Sequence, residues 1–263
     1  MDLELAGRKA FISGSTRGIG YAVAQALAAE GADVVLHGRS GAGVRAAVTR
    51  LEAEGHGVAV SGVAADFADP GQARDAVASL GPVDVLVNNL GVFEVRPFAE
   101  IADEDWHRFF DVNVMSAVRL SRQLLPAMLA DGWGRIVFVS SEAGVDVPAD
   151  MLHYGVSKAA LLALSNGLAK LTRGTAVTVN AIVGGPTYSD GVAQAVRGIA
   201  DARGLAEADV KAAVVAGNTT SLVQRFLEPA ELAGLVAYLA SPRSAAVNGS
   251  ALRADGGTLT QVH

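Results

Sequence analysis

Cysteine is absent from this chain of 263 residues, which excludes disulfides and thiolate metal sites outright. Histidine is scarce. Its five occurrences, at positions 37, 56, 107, 153 and 263, are scattered, and none has a metal-ligand spacing such as H-E-x-x-H, so no metal is expected. Positive charge is in the minority: 21 Lys and Arg stand against 27 Asp and Glu, a formal net charge of -6. That balance argues against nucleic acid or an anionic membrane as the main partner. No apolar run approaches the roughly 18 residues of a membrane span. The opening Met1-Asp2-Leu3-Glu4 lacks the basic-then-apolar order of a secretory signal, and a cytoplasmic location is expected. Linkers, charge blocks and internal repeats are missing too, so residues 1–263 read as one domain.

What is present is a regular alternation. Apolar residues make up 51% of the chain, enough for a sheet buried on both faces. Short runs rich in Val, Ile, Leu and Phe at 9–13, 33–37, 58–64, 83–87, 135–140, 175–182 and 250–253 lack polar alternation, as strands covered on both sides should. Helical stretches at 21–30, 44–54, 72–80, 105–130 and 152–171 lie between them. Strand-helix alternation predicts an α/β fold of Rossmann type, a doubly wound parallel sheet of about seven strands with helices on both faces. Residues 184–218 interrupt the pattern with an Ala-rich, helical-looking stretch, placed to be a lid. Residues 255–263 read as an irregular tail.

The first strand runs into Ser13-Gly14-Ser15-Thr16-Arg17-Gly18-Ile19-Gly20, and a helix begins. Glycine is needed here for a tight turn, for close approach of a phosphate to the main chain, and for helix-sheet packing. The helix amino terminus then offers free N–H groups and a positive dipole end to a pyrophosphate. A dinucleotide is therefore expected on this turn. After the second strand the chain reads His37-Gly38-Arg39-Ser40, with no acidic residue to bind a ribose 2′-hydroxyl. Arg17 and Arg39 suit a 2′-phosphate instead, which favours NADP(H) over NAD(H). The alternative, that both are solvated surface arginines, stays open.

The spacing G-x-x-x-G-x-G is joined by Asn88-Asn89-Leu90-Gly91 after the fourth strand, Asn113 in the next helix, Ser141 at the end of the fifth strand, and Tyr154-Gly155-Val156-Ser157-Lys158. Asn180 and Asp255-Gly256-Gly257 follow in order. Over nearly the whole chain this set resembles the short-chain dehydrogenase/reductase family, including its 3-oxoacyl-[acyl-carrier-protein] reductase-like members. Tyr154 and Lys158, four apart on a helix, share a face. A free phenol has a pKa of about 10, and a neighbouring ammonium would favour phenolate.

The resemblance implies an NADP(H)-dependent oxidoreductase that interconverts a ketone and a secondary alcohol. In it Tyr154 is the acid or base, Lys158 tunes it and binds the nicotinamide ribose, Ser141 holds the substrate oxygen, and Asn113 holds a relay water. Ser141 is chosen over Ser140 because the family's serine lies thirteen positions before the tyrosine. Gly14, Ser15, Arg17, Gly18, Ile19, Gly20, Arg39, Asp66, Phe67, Asn88, Gly91, Gly185, Thr187 and Ser189 are expected around the cofactor, with Tyr154 and Lys158. His153 and the Trp106, Phe109, Phe110 stretch read as packing; Glu142, beside Ser141, is placed to touch substrate but reads rather as a solvated or capping carboxylate.

The chain departs from the family at Gly184, where proline is usual, so a freer loop is expected there. Leu90, in place of alanine, is expected to crowd the cleft. The positions where carrier-binding relatives present arginine read Gly132 and Thr175 here, although Arg135 and Arg173 are near. Tyr188, Val192, Val196 and Ile199 make the lid look apolar, which favours a hydrophobic or mixed ketone. Rival readings are an NADP(H)-binding sensor or scaffold, which would need no proton relay, and an epimerase or dehydratase, whose relatives are usually longer. A homo-oligomer, dimer or tetramer, pairing the helices at 105–130 and 152–171, is expected.

Overall fold

The computed structural model describes residues 2–261. Met1, Val262 and His263, named above in the opening, the tail and the histidine count, lie outside the described residues. The strands are β1 (Lys9–Ile12), β2 (Asp33–Gly38), β3 (Val60–Ala64), β4 (Val85–Asn88), β5 (Trp133–Ser141), β6 (Ala176–Gly184) and β7 (Ala251–Ala254). They form one parallel sheet in the order β3-β2-β1-β4-β5-β6-β7. The helices are α1 (Gly18–Ala29), α2 (Gly41–Glu52), α3 (Pro70–Leu80), α4 (Asp103–Phe109), α5 (Ser116–Asp131), α6 (Leu152–Leu171), α7 (Asp190–Arg203), α8 (Glu207–Gly217) and α9 (Pro229–Ala240).

Successive side chains of a strand point to opposite faces, and here both faces are roofed. Ala10 and Ile12 of β1, Val85 and Val87 of β4, and Val137 and Val139 of β5 pack under α1, α2 and α9. Phe11, Leu86, Ile136 and Phe138 pack on the other side, against α3, α5 and α6. That double cover is why the central strands read as unbroken apolar runs.

β3 is the exception to the expected burial. It pairs with β2 alone, and Ser61, Gly62 and Ala64 are exposed. Its sequence, Val-Ser-Gly-Val-Ala, belongs to an edge strand. The helix expected over 105–130 is in three parts: α4, a π turn over Phe110–Met115, and α5. Helix α9 adds a roof element over β5 and β6, headed by Pro229 and a capping box between Glu228 and Glu231. Among the described residues no helix is long and apolar enough to cross a membrane.

From β1 the chain steps outward to β2 and β3, and then returns to lay β4 on the other side of β1. The loops after β1 and β4 therefore diverge and leave a crevice at the carboxyl ends of the strands, where this architecture binds ligands.

Candidate active site

The turn after β1 is held from three directions. Gly14 N–H donates to His37 Nδ1 (2.9 Å), and His37 Nε2 lies 3.0 Å from Ala65 O. Because the Gly14 amide can only donate, Nδ1 is the acceptor and Nε2 carries the proton. Burial lowers the His37 pKa to about 4, so the ring is neutral, and it stacks on Phe67 at 3.9 Å. Ser15 Oγ donates to Ile12 O (2.7 Å) and accepts from His37 N (2.9 Å). From the β4 side, Asn89 Nδ2 donates to Ser13 O (3.0 Å) and Gly14 O (2.9 Å). A Cβ on Gly20 would lie 2.4 Å from both Gly14 O and Asn89 Nδ2, so only glycine lets α1 approach this closely. Leu90 lies against Gly14: a Cβ there would be 3.3 Å from Leu90 Cδ1.

Helix α1 has no side-chain N-cap, and its first amides face the crevice. Gly18 N–H donates to Asp190 Oδ2 at 2.6 Å. A carboxylate thus occupies a helix N-terminus of the kind that binds phosphate, and the donor set fits a dinucleotide's diphosphate. Ile19 packs on the core beneath. Arg17 and Arg39 are exposed, and among the described residues neither side chain has an ion-pair or hydrogen-bond partner. Asp66 lies beyond β3, its Oδ1 accepting from Ala68 N (3.0 Å).

Several expected cofactor contacts are otherwise engaged. The Phe67 ring is fully buried in the core and its carbonyl accepts from Arg119 (2.9 Å). Asn88 turns toward α5, donating to Ser121 Oγ (3.2 Å); its neighbour Asn89 is the one on the turn. Thr187 Oγ1 donates to Gly185 O (2.9 Å), and Ser189 Oγ caps α7 by accepting from Val192 N (3.4 Å). Gly184 is no freed loop residue. It closes β6, paired with Ser141 and Ala254, and a Cβ there would meet Leu232 at 2.8 Å. Gly185 is glycine for the same reason, against the Asp255 backbone.

The carboxyl end of β5 brings the reactive side chains together. Ser140 Oγ donates to Lys158 O (2.9 Å) and anchors α6. Ser141 Oγ points the other way, donating to Glu142 Oε2 (2.5 Å), and its hydroxyl acts to lower the pKa of the Tyr154 phenol. Lys158 is buried, its Nζ donating to Val139 O (2.9 Å) and lying 5.7 Å from the Tyr154 ring centre. Gly91 makes room for it: a Cβ there would be 3.3 Å from Lys158 Nζ and 3.5 Å from Asn113 Oδ1. Asn113 sits in the π turn, fully buried. Its Oδ1 accepts from Val92 N (2.8 Å), and its Nδ2 donates to Val92 O (3.0 Å) and Ser157 Oγ (2.9 Å).

Three expectations change here. Tyr154 is not eased toward phenolate. Burial pushes its pKa up to about 12, with Ser141 lowering it and the Glu142 charge raising it. Burial likewise takes Lys158 down to about 8, against the pull of Glu142. The Asn113 side chain is spent on Val92 and Ser157, so any water it holds is held by its main chain. Glu142 is partly buried rather than fully solvated, and burial raises its pKa.

His153 is packed, as expected, with its ring 3.9 Å from Phe109 and 6.2 Å from Trp106. The apolar residues of 184–218 serve another purpose than a greasy lid lining. Val196, Ala200 and Val210, with Tyr188 and Val192, form a core between α7 and α8, while Ile199 faces outward. Arg135 is buried, its guanidinium donating to Ser241 O, Gly134 O and Ala176 O, and burial lowers its pKa to about 10. It offers nothing to a protein partner.

His37, Asn89 and Asp190 were not singled out by the motif reading, although Asn89 stands in the quoted Asn-Asn pair. Phe93, on the loop after β4, is a fourth; its ring lies 6.4 Å from Tyr154.

The short chain dehydrogenase family model matches residues 8–200. The chain is 43% identical to the uncharacterized oxidoreductase YvrD of Bacillus subtilis (strain 168), covering 98% of this chain and 99% of that one. It is 31% identical to the 3-oxoacyl-[acyl-carrier-protein] reductase FabG of Escherichia coli (strain K12), over 97% and 98% of the two chains. The fold is similar to that of L-sorbose reductase from Gluconobacter frateurii, solved with NADPH and L-sorbose, with a TM-score of 0.94, 34% identity and 100% of both chains covered.

Proposed function

The chain belongs to the short-chain dehydrogenase family and is an NAD(P)-dependent oxidoreductase, and from that premise we propose that it reduces a small free ketone to a secondary alcohol, with NADP(H) preferred. The observation that carries this is the grouping of Ser141, Tyr154 and Lys158 at the loop after β4, whose Gly91 lies against Lys158 and whose Leu90 lies against Gly14 of the glycine turn.

When bound, the nicotinamide supplies the hydride that reaches the carbonyl carbon. The protein's own groups handle the oxygen. Ser141 O–H turns from Glu142 to donate to the carbonyl oxygen, and stabilises the negative charge that builds there. Tyr154, with its pKa held high, enters as the proton-bearing acid and gives its phenolic proton to that oxygen. Lys158, alongside, replaces the proton. Asn113 fixes the Val92 loop and, through its main-chain carbonyl, would hold the water that refills Lys158. Reduction thus consumes one hydride and one proton, and reversal returns both.

The Gly14–Gly20 turn would hold the diphosphate, which replaces Asp190 on the Gly18 amide. Arg17 and Arg39 would hold the 2′-phosphate. The NADPH bound to the similar L-sorbose reductase supports that preference. Burial of Arg135 supports a free substrate over a carrier-bound one. Helices α7 and α8 act as the lid, and α5 and α6 pair copies of the chain in a dimer or tetramer. The test is NADPH and NADH oxidation, followed by absorbance, against ketones and 3-oxoacyl thioesters. Turnover of thioesters alone would reject the free-ketone reading.

A further inference from the structure

Glu142 stands immediately after Ser141, where β5 leaves the sheet. Its carboxylate turns inward. Oε2 accepts the Ser141 hydroxyl at 2.5 Å, while the Ala143 amide donates to Ser141 Oγ (3.2 Å). Tyr154 and Lys158 both feel its charge. Among the described residues it has no ion-pair partner. A second carboxylate, Asp255, lies near enough to repel it, and Asp255 already has Arg253 at 2.9 Å. Glu142 is therefore an acceptor in the substrate crevice whose one side-chain donor is the hydroxyl that the reaction needs.

We propose that Glu142 is a specificity-determining residue, which selects ketones carrying a hydroxyl on the carbon next to the carbonyl and accepts that hydroxyl's hydrogen bond. The inference rests on the ketone-reductase reading above. When Ser141 turns to the substrate's carbonyl oxygen, Glu142 Oε2 loses its donor. The oxygens of a hydroxyketone sit on adjacent carbons, a spacing that matches the closeness of Ser141 Oγ and Glu142 Oε2. One oxygen then takes the Ser141 and Tyr154 donors while the hydroxyl replaces Ser141 on Glu142. A simple ketone brings no donor and strands a partly buried carboxylate, which is the arrangement that discriminates most sharply. The apolar residues of α7 and α8, consumed in their own core, leave this polar selection unopposed.

The experiment compares kcat/KM for 1-hydroxy-2-butanone and 2-butanone, with NADPH, in the wild type, Glu142→Gln and Glu142→Val, each variant checked for folding by thermal melt. The wild type is expected to favour the hydroxyketone by about 10- to 100-fold, the worth of one hydrogen bond to a charged group. Glu142→Val should bring that ratio to within about twofold of one, mainly through the hydroxyketone's KM. Glu142→Gln, which keeps shape and loses charge, should lower it severalfold. A wild-type ratio near one, or a ratio unaltered in both variants, overturns the inference and leaves the reductase reading standing. A wild type that binds NADPH and turns over neither ketone overturns the reductase reading and this inference with it.

Discussion

A neutral, buried histidine anchors the glycine turn, and its chemistry makes a pH prediction. The His37 pKa falls from the ordinary 6.5 to about 4 on burial, so between those values the unfolded chain binds the proton and the folded one does not. Its contribution is complete above about pH 6.5 and is lost as pH falls toward 4, on the order of 3 kcal/mol in all. Urea unfolding of the wild type and His37→Phe across pH 4–7 should show the slope in the first and a flatter profile in the second. His37→Phe also leaves the Gly14 N–H without its acceptor, at roughly 1–3 kcal/mol. Lys158 makes a second pH prediction. With its pKa lowered by burial to about 8, the Glu142 charge opposing the fall, kcat/KM for reduction should decline as pH rises through about 8, where Lys158 loses the proton it relays. Glu142→Gln should move that limb to lower pH. The family resemblance, carried by the order and spacing of its motifs, drew attention to Ser141, Tyr154, Lys158 and Asn113, because that order is a one-dimensional signal. His37 escaped it, since what matters there is where a rotamer points once distant strands have met, and Glu142, noted beside Ser141, shows its bond to that serine only in the fold.

At the scale of elements, the α1 N-terminus and the start of α7 compete for one position. Gly18 N–H can serve Asp190 or a cofactor phosphate. Asp190→Ala removes the competitor while Ser189 still caps α7, so NADPH should bind severalfold more tightly in a fluorescence titration. Gly20→Ala should abolish that binding, because its Cβ would sit 2.4 Å from the Gly14 carbonyl. Apolar runs located all seven strands, and the 3.6-residue pattern gave α6 its bounds, 152–171. The same reasoning overstated β3, where position in the sheet decides burial and composition does not report position. The π turn was illegible because Phe110–Met115 carries no signal distinguishing it from helix. The apolar stripe of α7 was visible, but its partner was α8 rather than a substrate.

For the whole molecule, the parallel sheet explains why the site lies where it does. The reversal between β1 and β4 opens the crevice, and β5 and α6 deliver the reactive groups to it. Arg17 and Arg39 are exposed, and on the proposal that they hold the 2′-phosphate, Arg17→Ala with Arg39→Ala should raise the KM for NADPH about tenfold or more and leave that for NADH far less affected. The central claim is that one crevice joins a dinucleotide cradle to a tyrosine acid that protonates a ketone. It is tested most directly by single-turnover NADPH oxidation with saturating ketone in the wild type and Tyr154→Phe, a change that removes one oxygen and little packing. The account predicts NADPH bound equally by both and a hydride-transfer rate at least about 100-fold lower in the variant. Equal rates in the two proteins would contradict it.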